Sequence, residues 1–274
     1  MTDNINNEVW DSNEILLITA TIDAKKTPYV AINNTKERLF EYLCSLIAWI
    51  KLTSIKTIVF CENSNTDYNF DNIIELAESH EKTLEILKFN EKSSQRYGKG
   101  YGEGKILEFA MFNSKYLNKN NVNFYKITGR GFIKNFEEIR KLHIDKPNVF
   151  NAPSFNLNAY YDRSSFNKLL YWFIFEVKFA IKTKRFHNPR YTITTRFYKS
   201  NVNFFKENLL DSYKKVYDQW GYYLEHTYYD SLIGKSFSPF LIEPQIVGRC
   251  GTSAVLLNGG DYTDDIKRLA KVYM

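Results

Sequence analysis

Leu84-Glu85-Ile86-Leu87-Lys88-Phe89 reads as a β-strand, and Gly98-Lys99-Gly100-Tyr101-Gly102-Glu103-Gly104 leads from it into a helical pattern over residues 103–117. About two dozen residues beyond the glycines the pattern repeats. Val122 to Ile127 reads as a strand and runs into Lys126-Ile127-Thr128-Gly129-Arg130-Gly131. Strand, glycine turn, helix, strand, glycine turn is how an α/β chain builds a ligand crevice at the carboxyl ends of its strands. Glycine permits positive φ and close approach of a ligand to the backbone. Lys99, Lys105, Lys126 and Arg130 are donors suited to a diphosphate. The first run is neither the dinucleotide fingerprint G-x-G-x-x-G nor a P-loop, because Gly104-Lys105 is followed by Ile106. A surface turn with scattered lysines is the alternative reading of the same residues.

Upstream, Glu14 to Ile22 is a continuous apolar run, the mark of a central strand buried on both faces. It ends in the small residues Thr19, Ala20 and Thr21. Asn34-Thr35-Lys36-Glu37 is a capping pattern that opens a helix to about Lys51, with Arg38 and Tyr42 sharing a flank. Ile55 to Cys61 predicts a second strand, ending in Glu62 and Asn63, where an acid and an amide suit a ribose or uracil edge and equally suit a turn. Asp71 to Ser79 and Phe136 to Leu142 predict further helices. The β-α-β rhythm through about residue 135 predicts an α/β fold with a mostly parallel sheet flanked by helices. Beyond Pro147 the chain is richer in aromatics and reads as helices with loops. Residues 1–274 read as a single domain, with no linker and no repeat between the halves 1–147 and 148–274.

The formal charge is +6, from 37 basic and 31 acidic residues. That suits an anionic ligand or an acidic membrane face, and is too modest for a dedicated duplex-DNA binder. Aromatics make up 16% of the chain, with 20 Tyr and 21 Phe. Beside so much Asn, Lys and Ile this fits the bias of an AT-rich genome, so the rings count little toward base stacking. Cys44, Cys61 and Cys250 are odd in number and scattered, which predicts reduced thiols in an intracellular protein and no zinc cluster. Residues 1–13 are polar and acidic, unlike a signal peptide, and no apolar run is long enough to cross a bilayer.

Two later stretches draw attention. Phe166 to Ile181 is very apolar and is followed by Lys182, Lys184, Arg185, His187, Arg190 and Arg196. It reads as a core helix or as a basic amphipathic element at a membrane surface. Tyr217 to Leu232 carries Glu225-His226, where a carboxylate beside an imidazole suits a base or a metal, or a surface Glu beside a satisfied His. Arg249, in the glycine turn Glu243 to Ser253, is a further anion contact.

Taken in order, Thr19-Ala20-Thr21-Ile22, Phe60-Cys61-Glu62-Asn63-Ser64, Gly98-Lys99-Gly100-Tyr101-Gly102-Glu103, Lys126-Ile127-Thr128-Gly129-Arg130, Leu224-Glu225-His226-x-Tyr228 and Pro244-x-Ile246-x-Gly248-x-x-Gly251 resemble bacterial and viral glycosyltransferases of the GT-A fold, of the capsule, lipopolysaccharide and viral glycan kind. The resemblance covers most of the chain. It implies a nucleotide-sugar donor, with a UDP-sugar first, bound across the carboxyl ends of the strands. The nucleoside would lie by Thr19, Ala20, Thr21, Glu62 and Asn63. Ribose and diphosphate would lie by Lys99, Gly100, Gly102 and Glu103, with Thr128, Gly129, Arg130 and Arg249 near the phosphates. The first half would hold the donor and the second half the acceptor, a glycan, lipid-linked glycan or glycoprotein.

Most relatives of that kind hold a divalent metal, Mn or Mg, through Asp-x-Asp. This chain has no Asp-x-Asp, and Thr128-Gly129-Arg130 stands in its place. Metal dependence is therefore open, and Arg130 with a lysine is the expected substitute for the metal's charge. Glu225 is the expected base, with His226 beside it and Asp162 and Asp230 behind. A cytoplasmic protein, peripheral at the inner membrane face or free of it, follows as an expectation, with no nucleic-acid partner. The other classes in play are a non-catalytic nucleotide or single-stranded nucleic-acid module, and a nucleotidyltransferase on the same kind of sheet.

Overall fold

The computed structural model describes residues 14–24, 31–92, 97–155, 191–216, 218, 222–251 and 253–274, together with residues 170, 173, 174, 177, 180 and 181, each of them helical. Ile15–Ala20 (β1) is buried along its whole length. Leu16, Ile18 and Ala20 face one core and Ile15 and Leu17 the other, which is what an apolar run without alternation requires. Helix α1 (Thr35–Leu52) starts where the capping pattern predicts, with Asn34 Oδ1 accepting from the Lys36 and Glu37 amides at 2.9 and 3.1 Å. Then follow β2 (Thr57–Glu62), α2 (Asp71–Ser79), β3 (Thr83–Lys88), α3 (Lys99–Asn113) and β4 (Asn123–Thr128).

After β4 come β5 (Phe132–Ile133), α4 (Phe136–Leu142), β6 (Val149–Phe150), β7 (Ser154–Phe155), β8 (Tyr191–Thr192), β9 (Phe197–Asn201) and α5 (Val202–Asn208). A 3-10 turn (Ser212–Lys215), α6 (Leu224–Leu232), β10 (Ser238–Pro239), β11 (Ile246–Val247) and α7 (Asp264–Val272) complete the described elements. The main sheet runs β10-β6-β9-β4-β1-β2-β3. β1 pairs in parallel with β2 and β4, and β2 with β3, while β9 runs antiparallel to both β4 and β6. This is an α/β architecture with a mixed, mostly parallel sheet flanked by helices. Its parallel strands bring Ala20, Glu62 and Thr128 to one edge, in the register Ala20 to Glu62 and Thr19 to Thr128.

Three features differ from the sequence reading. Beyond Pro147 the chain supplies strands as well as helices, and β9 enters the middle of the sheet. Its Lys199 and Ser200 are fully buried, so its composition does not look like a strand's. The glycines lie inside α3 and not in a turn before it: Gly98 caps the helix with φ 101°, and Gly100, Gly102 and Gly104 are helical. A Cβ on Gly104 would fall 2.0 Å from Tyr213 Cβ, and one on Gly100 would fall 3.1 Å from Leu224 Cβ. The glycines therefore serve close packing of α3 on the 3-10 turn and α6. Finally, Leu170, Phe173, Ile174, Val177 and Ile181 are exposed, which removes those side chains from a core-helix reading. Of the basic residues after them only Arg196 falls among the described residues. No helix among the described residues is long and apolar enough to cross a membrane.

Candidate functional site

The turn after β4 is fixed through its backbone. Gly129 N donates to Thr19 O at 2.7 Å and Gly131 N to Thr128 O at 3.0 Å. Ser45 Oγ and Trp49 Nε1 both donate to Gly131 O at 2.9 Å, and Tyr262 Oη donates to Arg130 O at 2.9 Å. A Cβ on Gly129 would lie 2.4 Å from Thr19 O, so the turn seats flush against β1 only without one. Thus anchored, the turn projects Arg130 into a mostly buried position, where Nη1 meets Glu41 Oε2 at 2.7 Å. Glu41 also faces Arg249 Nε at 3.5 Å, and Arg249 Nη1 meets Glu37 at 3.1 Å.

Beside this turn lies a recess of about 50 Å³, whose lining includes Thr128, Arg130, Arg196, Arg249 and Gly251. Lys99 borders the same place: a Cβ on Gly251 would sit 2.9 Å from Arg130 Nη2 and 3.6 Å from Lys99 Nζ. Gly100, next to Lys99, and Arg130 therefore share one side of the molecule. Burial lowers the Lys99 pKa and the Arg130 charge lowers it further, against Glu103, Cys250 and Glu225, which raise it. Three arginines and a lysine surround this small hollow at the sheet's carboxyl edge, donors of the kind that seat a compact anion, with Arg130 paired to Glu41 and Arg249 to Glu37 and Glu41.

The acidic side of the site comes from α3 and α6. Glu103 pairs with the fully buried Lys126, whose Nζ also donates to Thr195 O at 2.6 Å and Thr128 Oγ1 at 3.0 Å. Thr195 Oγ1 in turn donates to Glu225 Oε1 at 3.3 Å. Burial pushes the Glu225 carboxyl up, and the Glu103 and Asp218 charges push the same way. Asp218 Oδ2 accepts from Gly100 N at 3.2 Å, and burial raises its pKa too. His226 is differently employed. Its Nδ1 accepts from Tyr223 N at 3.1 Å, closing the amino end of α6 between the Tyr222 and Tyr223 rings. Asp230 accepts from Tyr222 Oη. Asp162 lies outside the described residues.

The nucleoside-side candidates come together at the ends of β1 and β2, largely turned on one another. Thr21 Oγ1 donates to Asn63 Oδ1 at 2.7 Å. Glu62, fully buried, accepts from the Ile22 and Ser64 amides at 3.1 and 2.7 Å. Arg38 and Tyr42 are buried and clamp the Thr21 backbone, with Arg38 Nε donating to Thr21 O at 2.8 Å and Thr21 N to Tyr42 Oη at 2.9 Å. Lys105 stands apart, paired with Glu108 at 2.7 Å. Glu41, Thr195 and Asp218 carry no site signal of their own in the sequence, and Arg196 stands out there only as the last of the basic residues after Ile181. Glu37 and Glu41 are spaced four apart on one helix, which was the available hint.

The residues at the end of β4 do not fit a divalent metal. They offer a hydroxyl, a glycine and a guanidinium, and Glu103 is held by Lys126. Among the described residues no three His, Cys, Asp or Glu side chains are grouped to hold one.

No family model and no curated protein matches this sequence. Among solved structures, the chain is similar to the galactosyltransferase LgtC in complex with donor and acceptor sugar analogs, at 11% identity and a TM-score of 0.42, over 80% of this chain and 70% of that one. It is similar to the mannosyltransferase Ktr4p from S. cerevisiae in complex with GDP, at 10% identity and 0.43, over 92% and 77%. It is also similar to 4-diphosphocytidyl-2C-methyl-D-erythritol synthase from Anaerococcus prevotii, at 10% identity and 0.40, over 96% and 97%.

Proposed function

We propose that this chain is a GT-A-like glycosyltransferase that moves a sugar from a nucleoside diphosphate donor, a UDP-sugar first, to a hydroxyl of a glycan, lipid-linked glycan or glycoprotein. The observation that carries the reading is the recess lined by Arg130, Arg196 and Arg249 at the carboxyl end of β4. Fixed guanidinium charge at that point stabilises the nucleotide as it leaves, the task a metal performs elsewhere. Lys99 and Glu103 border the diphosphate and ribose, with Gly100, Gly102, Thr128 and Gly129 shaping the wall. Thr19, Ala20, Thr21, Glu62 and Asn63 form the nucleoside side. Glu225 takes the acceptor's proton, its raised pKa bringing it nearer the working range of a general base. Residues 1–147 hold the donor and 148–274 the acceptor within one domain. The exposed Leu170, Phe173, Ile174, Val177 and Ile181 support a peripheral contact with the cytoplasmic membrane face, which co-sedimentation with anionic vesicles tests.

The test is turnover of a nucleotide-sugar panel with and without excess EDTA. Release of UDP that survives EDTA and falls about tenfold in Arg196→Gln, the loss of one charge-assisted hydrogen bond, is expected. Activity abolished by EDTA and restored by manganese would overturn the guanidinium role. Stabilisation by nucleoside triphosphates with magnesium, and by no nucleotide sugar, would replace the transferase reading with nucleotidyl transfer. Stabilisation by single-stranded oligonucleotides alone would leave a binding module.

A further inference from the structure

Between α1 and α7 lies a second hollow, of about 530 Å³, within the range of small-molecule sites. Its walls carry four acids, Glu37, Glu41, Asp261 and Asp264, and four bases, Arg249, Lys267, Arg268 and Lys271. Phe40, Tyr262 and Cys44 supply the apolar part of the lining. Several charges are already matched: Lys267 meets Asp261 at 2.7 Å, and Arg249 meets Glu37 at 3.1 Å. The side chains of Asp264 and Lys271 make no hydrogen bond or ion pair among the described residues. Burial, with the Asp261 and Glu41 charges, pushes the Cys44 thiol up to about 12, so that surface stays neutral.

A wall of equal and alternating charge attracts no net ion, since each carboxylate's field is offset by a neighbouring cation. It does present acceptors and donors side by side. Carboxylates only accept, ammonium and guanidinium groups only donate, and a hydroxyl does both. A ligand dense in hydroxyls with an apolar ring face uses all three parts of the lining, whereas an anion or cation meets as much repulsion as attraction. We infer that this cavity is a binding site for an uncharged, polyhydroxylated ligand, a neutral mono- or oligosaccharide. It shares Arg249 with the arginine recess, and Glu41 touches both Arg130 and Arg249, so the two hollows have a common wall. The site is defined by its own lining and does not depend on the transferase reading.

Saturation-transfer NMR on the full chain tests it, with lactose, maltotriose, mannobiose and chitotriose as neutral probes and glucuronic acid and inorganic phosphate as charged ones. Transfer to at least one neutral probe is expected. Its affinity should fall about tenfold in Asp264→Asn/Lys271→Gln, as expected for lost hydrogen bonds to charged groups. Arg196→Gln, which alters the recess alone, should leave it unchanged. Circular dichroism of the double variant controls for folding, and both positions lie on a helix surface. No transfer to any neutral probe, transfer indifferent to the double variant, or preference for a charged probe at this cavity would each overturn the inference. Saccharide binding by a parent chain that turns over no nucleotide sugar would sink the transferase reading and leave this site standing.

Discussion

Glu14→Gln should lower the melting temperature by about 10 °C while leaving the carboxyl-edge site intact. Glu14 sits just before β1 and is almost fully buried. One of its oxygens meets Arg140 Nε at 2.5 Å and the other meets Lys199 Nζ at 2.7 Å. One carboxylate thus compensates two buried cations. Arg140 has other recourse, to Ser54 Oγ at 2.7 Å and Glu137 at 3.9 Å. Lys199 has the His143 carbonyl at 2.9 Å and the Tyr125 ring at 5.3 Å, neither of which carries charge. Removing one partner of a buried pair costs about 3–5 kcal/mol. At roughly 2–3 °C per kcal/mol for a chain of this size, that is a shift of about 10 °C. Thermal melts followed by circular dichroism measure it. Glu14→Gln/Lys199→Met should recover more than half of the loss, because the stranded ammonium leaves with its partner, giving a coupling of about 2 kcal/mol. The site lies a strand length away, roughly 20 Å along β1, so UDP affinity below the transition should not move. A melting temperature within about 3 °C of the parent, or a double variant worse than the sum of the singles, would refute the account.

The remaining expectations concern the site and its scaffold. Gly104→Ala places a methyl 2.0 Å from Tyr213 Cβ, against a side-chain stem that cannot swing aside. A loss of about 1–3 kcal/mol from overpacking should appear in denaturant melts, and an unchanged midpoint would contradict the close packing of α3. Gly251→Ala meets the far end of Arg130, 2.9 Å from Nη2, and that end is tethered to Glu41. Stability should hold within about 0.5 kcal/mol while UDP affinity, by calorimetry, falls about tenfold, in line with the cost of a displaced charge-assisted contact; unchanged affinity would remove Arg130 from the anion seat. For Glu225 the sign is set by the base role. In the proposed base role the ionised form is the active one, so kcat/KM should fall as pH drops through a pKa held above the ordinary carboxylate range by burial and by Glu103. Glu103→Gln should move that acidic limb to lower pH, and a limb that stays in place would take Glu225 out of the reaction.

How far the sequence could be read depends on which residues announce their surroundings. β1 was legible because an uninterrupted apolar run has few places to go but the centre of a parallel sheet, and α1 because Asn34 caps it visibly. β9 was not legible. A lysine buried in a central strand is tolerated only because Glu14, far away in sequence, neutralises it, and no local pattern carries that information. The Arg38–Tyr42 flank was visible as a pair, but its burial follows from where the Thr21 backbone lies, which only the fold supplies.

The glycine run is the more instructive case. Read at a spacing of two, Gly98, Gly100, Gly102 and Gly104 look like a flexible loop. Read at helical spacing, Gly100 and Gly104 fall on one face, and that face meets Leu224 and Tyr213. Both contacts belong to the second half of the chain, and Leu224 opens the helix that carries Glu225. The same two glycines therefore set how near Lys99 and Glu103, on the first turns of α3, come to Glu225. The run shapes the site through helix packing, and a ligand's approach to the backbone is not needed to explain it.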